Sequence, residues 1–332
     1  MRGLVAVLLV VAASVAAAWF GGETWLAREA ARRIADDPRI AAAQVAPLRD
    51  LRRIGLHLAD VTVATAAGDA ALPTLDLWAA PSAPTEFHAA LPERMILPIG
   101  GVLRPVQAAG AGLSARISPA SRMAVSRAAL SSGPVTIDGA PLAAAVQITA
   151  ALSALGPDAP AGAAASYAVQ GQADGVAPPA GMQALQDAGL LSASGAARVF
   201  LTGPVVPGES RPQVVGLASD GLTVRLGSRA ARVTGRLAAD AEGRATGAIF
   251  VYTRDVQDWL ALAAETGLLP KGMVALAGTA LAAAAGTAPQ LPPGIPPPAE
   301  PQQGELRIPL LLRGGQAFLG PLPVGPAPIF PR

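Results

Sequence analysis

The stretch LTVRLGSRAARVTGRLAADAEGRATGAIFVYT, residues 222–253, decides the fold. Leu222, Val224 and Leu226 alternate with Thr223 and Arg225. Val233 and Leu237 keep the same step, with Arg232, Thr234 and Arg236 on the other side. A period of two is the spacing of a strand, because successive side chains point to opposite faces. The polar turn Asp240 to Gly243 leads into a further strand, Gly247 to Thr253. One face of such strands is dry and the other wet, which is the pattern of an antiparallel sheet rather than a parallel one.

Reading outward, Asp255 caps a helix with Val256, Trp259, Leu260 and Ala263 on one side, and Gly267 and Pro270 stop it. An Ala-rich helix is expected over 271–285, then a linker over 289–301 stiffened by seven prolines. A hairpin closes the chain over 305–320: Leu306, Ile308, Leu310 and Leu312 alternate, Gly314-Gly315 turns, and Ala317 to Leu319 returns. Upstream, Arg198 to Thr202 and Tyr167 to Gln172 read as strands, with a short helix over 180–188 between them, opened by Pro178-Pro179 and ended by Gly189. Residues 142–152 are Ala-rich enough for a helix, while Val146, Ile148 and Thr149 lean towards strand. Val135 to Asp138 and Leu75 to Leu77 read as short strands. Leu56 and Leu58, then Val61 and Val63, alternate with a shift near Ala59-Asp60, the mark of a bulge.

The N-terminus is different. Met1-Arg2 is followed by an uncharged run, Gly3 to Phe20, at the lower limit of length for a membrane-spanning helix. Trp19 and Trp25 bracket its distal end, where amphipathic rings favour the interface. Ala16-Ala17-Ala18 satisfies the small-residue pattern before a signal-peptidase cut. Trp19-Phe20 continue the apolar run, which favours a retained anchor over 1–22. A juxtamembrane helix is expected over 23–37. Arg28, Arg32 and Arg33 after the span pull against the positive-inside rule, but the signal-like layout points to a translocated β-rich domain over 38–332.

Composition agrees with this class. Among the 332 residues, 52% are hydrophobic, 14% charged and 4% aromatic, so the core rests on Leu, Val, Ile and Ala. Thirty-six glycines and 32 prolines suit short strands and turns, not a helical bundle. The net charge is +2 and Lys271 is the only lysine; the arginines are scattered among nearly as many acids, which excludes the concentrated basic face of a nucleic-acid binder. The absence of cysteine removes disulfides, thiolate chemistry and lipoprotein attachment.

No residue constellation for catalysis emerges. The histidines are His57 and His88. His57 reads as the solvent-facing residue of its strand. No G-x-S-x-G, H-E-x-x-H or P-loop motif occurs. Asp36-Asp37 adjoin a helix end and Pro38 and read as solvated terminus chemistry. No catalytic, cofactor-binding or metal-ligating residue is therefore singled out, and no cofactor is expected. The remaining capacity is physical: a half-dry sheet can shelter an acyl chain, unless helices near 180 and 260 seal it.

GRLAADAEGRATG (235–247), with Gly235, Leu237, Asp240, Gly243 and Gly247, the helix DVQDWLALAAETGLLP (255–270), the ending LLLRGGQAFLGPLPVGPAP (310–328) and YAVQGQADGVAPP (167–179) resemble the bacterial domain-of-unknown-function family 2125 over about 24–330. The layout more distantly resembles AsmA-like periplasmic proteins, which share an N-terminal anchor and a glycine-punctuated antiparallel sheet and are associated with outer-membrane biogenesis and phospholipid transport. Together these readings give an α+β chain, mainly antiparallel β: an N-terminal membrane helix, then a large twisted sheet with a few covering helices. The expectation is a non-enzymatic, single-pass inner-membrane protein with its C-terminal domain in the periplasm. Its expected partners are the membrane, through the N-terminal helix, and a lipid or other apolar envelope component. The alternative is an envelope scaffold that holds a protein partner through a sheet edge or the Pro-rich C-terminal tail.

Overall fold

A computed structural model describes residues 21–267 apart from 51, 66 and 180, together with 272, 274, 275, 278, 279, 297–319 and 322–330. Most of the expected 1–22 anchor and of the Ala-rich 271–285 helix lies outside the described residues. Among the described residues no helix is long and apolar enough to cross a membrane. Residues 21–36 are helical (α1). The described residues divide into two compact units, those within 1–117 and 129–141 and those within 118–128 and 142–332.

The first unit holds β1 (Ile40–Pro47), β2 (Ile54–Thr65), β3 (Gly68–Ala80), β4 (Ala83–Ala90), β5 (Arg94–Ile99), β6 (Val102–Ala108) and β7 (Gly112–Ser118). β8 (Ala124–Ser132) straddles the division, β9 (Val135–Ile137) belongs to the first unit, and β10 (Ala140–Ala143) again straddles. The pairings that follow are antiparallel. β1, β2 and β3 are neighbours in turn, and the far side of β3 forks. Its second half pairs with β4, which pairs with β7, while its first half meets β5 at the single pair Ala71–Ile96. β5 continues the fork through β6 to β9.

The core of this unit explains the break in alternation. Leu58 and Val61 are both buried in one cluster although three residues apart, as are Leu72 and Leu75 on the partner strand. Asp60 lies between the first pair with φ +50°, and Pro73, which has no N–H, lies between the second. Pairing runs on both sides of this point, Ala59 with Thr74 and Val61 with Leu72, in one unbroken register. Two neighbouring strands thus switch faces together. The expected shift at Ala59-Asp60 is a left-handed residue within one strand, not an extra residue in a ladder. At the chain's entry into β1, the Asp37 carboxylate accepts the N–H and guanidinium of Arg39, and this side-chain hydrogen bond holds it down at about 2.

The second unit is a meander. β11 (Ala145–Ser153), β12 (Ala165–Val176), β13 (Leu191–Leu201), β14 (Val214–Leu226), β15 (Arg229–Ala239), β16 (Ala245–Thr253), β17 (Leu306–Arg313), β18 (Gln316–Leu319) and β19 (Leu322–Pro326) each pair antiparallel with the next. Residues 142–152 are thus mostly strand. α2 (Gln183–Ala188) lies between β12 and β13, and α3 (Val256–Glu265) follows β16.

In GRLAADAEGRATG, one oxygen of Asp240 accepts the N–H of Glu242 at 3.0 Å and of Arg244 at 2.8 Å, which forms the β15–β16 turn. Gly235 and Gly247 stand at φ +154° and +136°, and a Cβ at either would strike a carbonyl of the neighbouring strand, that of Ala248 or Arg236. We expect Gly247→Ala to destabilise the protein by roughly 1–3 kcal/mol. Gly203→Ala, where the added carbon meets open space, should stay within about 0.5 kcal/mol in the same urea titration.

Candidate functional site

One row of residues crosses seven strands of the second unit on its dry face. It runs Ile148, Gly171, Gly195, Leu222, Val233, Val251 and Ile308. At the β17 end the row is closed: Val256 and Leu260 of α3 bury against Ile308, with Val251 and Ala263 beside them. Another part is closed by the chain end, where Phe330 packs with Leu312, Ala245 and Ala317. The backbone holds that cover, through Ala245 N–H to the Pro328 carbonyl (2.7 Å) and Phe330 N–H to the Gly243 carbonyl (2.9 Å). Tyr167 is buried with Leu201. Its hydroxyl donates to the Val125 carbonyl at 2.9 Å and accepts the Val205 N–H at 3.1 Å, tying the start of β8 and the loop after β13 over that edge.

Between these covers lies a trough. Gly171 and Gly195 face each other across β12 and β13 and have no side chains to fill the face. Val146 and Ile148 on one flank and Leu222 on the other make its walls, with Val169, Ala173, Ala193 and Ala197 along the floor strands. The cavity is about 270 Å³, with an almost wholly apolar lining, and Ile148 remains 40% exposed. The two glycines are not equivalent. A Cβ on Gly195 would lie 2.5 Å from the Gly221 carbonyl oxygen, whereas one on Gly171 has its nearest neighbours at 3.9 and 4.0 Å. Gly195 is required by the backbone; Gly171 is required only if the trough must stay empty of protein. The sheet is backbone-thin here, so the wet face is dented too. That dent is lined by Gln147, Thr149, Gln170, Gln172 and Ser194.

Further along, the wet face is closed by electrostatics and an aromatic. Ala248, Phe250 and Tyr252 are 0%, 2% and 0% exposed. The Tyr252 hydroxyl donates to the Ala299 carbonyl at 2.7 Å, and Arg232 lies 4.1 Å over its ring. Arg232 also donates to Glu305 at 2.9 Å, and the same carboxylate accepts the Gln302 N–H at 2.9 Å. Residues 297–305 therefore form a strap, and the end of the proline-rich linker is docked. Burial pushes the Glu305 carboxyl up, but the Gln302 N–H and the Arg232 guanidinium outweigh it, so it stays below its ordinary value. A second clamp joins Arg198 and Arg236 to Asp158, at 3.1 and 2.8 Å.

Both histidines sit in the first unit. His57 Nδ1 lies 2.5 Å from Asp76, its cross-strand partner. His88 stacks on Trp78 with ring centroids 5.5 Å apart, and Arg53 lies 5.1 Å from the Trp78 ring. Ser114 is the cross-strand partner of His88, and Glu86 Oε1 lies 3.7 Å from His88 Nε2. The geometry is a cross-strand ladder, with His57 on the outer face as its alternation indicates. Among the described residues no group of three or more potential metal ligands gathers.

A family model described as "Uncharacterized protein conserved in bacteria (DUF2125)" matches residues 52–328. No curated protein and no solved structure matches.

The strap carries its own pH signature. A carboxyl held below its unfolded value contributes stability that is present above the unfolded pKa, about 4.3, and is lost as pH falls through the folded one. Glu305→Gln should cost roughly 2 kcal/mol at neutral pH. In paired denaturation curves the gap between variant and parent should shrink as pH falls below the ordinary carboxylate range.

Proposed function

The chain belongs to the bacterial family designated DUF2125, and from that premise we propose that it is a non-enzymatic binding protein whose trough over Gly171 and Gly195 shelters an apolar chain. The chemical class is the acyl portion of a lipid or a similar envelope component. The observation that carries this reading is the selective opening of the dry face. Helix and chain end cover it near Ile308 and Leu312, while a place built from two facing glycines is left uncovered. At about 270 Å³ the trough is just below the usual range of small-molecule pockets, roughly 300–1,000 Å³. It suits a length of chain rather than a whole lipid. Each methylene moved from water into it contributes about 0.8 kcal/mol, so a short run of methylenes gives useful affinity without any polar contact.

In this reading the apolar 1–22 segment tethers the chain to the inner membrane and the β-rich part works in the periplasm, where acyl chains are within reach. The alternative, a scaffold that recruits a protein through a sheet edge, has less support. The last strand, β19, carries Pro323 and Pro326, and prolines on an edge strand withhold the N–H groups that strand addition needs.

The test is displacement of a fluorescent fatty acid from the full-length protein in mild detergent. The parent should bind, and Gly171→Leu should weaken binding at least tenfold while leaving far-UV circular dichroism and the unfolding midpoint in place. Equal binding by parent and variant would sink the trough as the site.

A further inference from the structure

The β5–β6 hairpin of the first unit carries a feature that the trough does not explain. From Met95 to Leu103 the chain has nine consecutive uncharged residues, MILPIGGVL. Met95 is buried in the core and Leu97 packs against it. Towards the turn the run is open: Ile96, Ile99, Val102 and Leu103 are 44%, 36%, 55% and 58% exposed. Gly100 and Gly101, at φ +62° and +78°, make a tight turn between paired Ile99 and Val102 and add no polar side chain at the tip.

The nearest charges on either side of this run are both arginines, Arg94 and Arg104. Arg104 donates to Asp138 at 2.7 Å. Arg94 lines a cavity of about 410 Å³ at the fork of the sheet, together with Asp60, Pro73, Ile96 and Pro105. It has no side-chain partner among the described residues. On β6 Arg104 stands two residues below Val102, about 7 Å at the strand rise of about 3.4 Å per residue, while on β5 Arg94 stands five residues below Ile99, about 17 Å.

We propose that the β5–β6 hairpin docks on a phospholipid surface: its tip enters the interface, Arg104 lies at the headgroup level, and the Arg94 side chain reaches towards a lipid phosphate from further down β5. On the β6 side the depth of the apolar cap matches the roughly 5–10 Å to which peripheral elements sink between headgroups and acyl chains. The charge pattern fits the same occupant, because flanking arginines bury their stems while their guanidinium groups reach phosphates. A protein partner would need carboxylates set opposite Arg94 and nothing to engage a side-chain-free tip. This contact is additional to the N-terminal segment and independent of the trough, which lies in the other unit.

The absence of cysteine makes the test clean. Leu103→Cys in the full chain takes a single environment-sensitive fluorophore, and Ser210→Cys, exposed in the other unit, serves as control. Both are reconstituted into phosphatidylglycerol–phosphatidylethanolamine vesicles, so the N-terminal segment contributes equally to each. The label at 103 should shift to the blue and be quenched by nitroxide-bearing lipid severalfold more than the label at 210. Adding Val102→Asp should abolish the difference, and Arg94→Gln should lower the inserted fraction about fivefold on anionic vesicles. A water-like spectrum at 103, equal quenching at both sites, or a shift that requires a second protein would overturn the proposal.

Discussion

The second unit is governed by one constraint: an antiparallel sheet with a dry face must bury that face or leave it for something else to bury. The chain meets it piecemeal. α3 seals the face at Ile308, the chain end seals it at Leu312, and Tyr167 anchors the start of β8 and the loop after β13 over its edge. Gly171 and Gly195 lie between those covers, where the face stays open. The clamps on the wet side, Arg232 to Glu305 and Asp158 to two arginines, hold residues 297–305 and the loop at Asp158 against the sheet. They leave the dry-side trough unfilled. The binding reading follows from where the covers stop, and no reactive side chain enters it.

The first unit meets a different constraint. β3 is 13 residues long and serves two neighbours on the same side, so the sheet must fork. Pro73 cannot extend the ladder, and Asp60 turns left-handed beside it. The fork opens the cavity that holds Arg94 and releases β5–β6 as a hairpin. Buried Leu58, Val61, Leu72 and Leu75 hold the kink from the core side, so the exposed arm stands on a packed base.

Where side-chain contrast was strong, the sequence was legible. Alternation over 222–253, the helix after Asp255 and the Gly314-Gly315 hairpin all follow from period and turn chemistry. The irregularity at Ala59-Asp60 was visible as a broken alternation, although its partner at Pro73 was not. β4 to β6 went unread because APTEFHAA, RMILPI and VLRPVQA each carry a proline and little contrast, and proline demotes a strand reading. The trough was out of reach for another reason. Gly171 and Gly195 read singly as weak points in strands, and only the register of β12 against β13 makes them neighbours. The strap was hidden by its composition: prolines before Glu305 read as a semi-rigid linker, while Tyr252 and Arg232 dock it from strands far away in sequence. Likewise, alternation placed His57 on the outer face but could not supply Asp76 as its partner.

The most direct measurement is photo-crosslinking of the full-length protein with a fatty acid that carries a diazirine on its chain, followed by peptide mapping. If the open part of the dry face holds an apolar chain, the adducts fall on β12 and β13 around Gly171 and Gly195 and on the flanking Ile148 and Leu222. Adducts confined to the N-terminal segment, or spread evenly over the surface, would contradict the account.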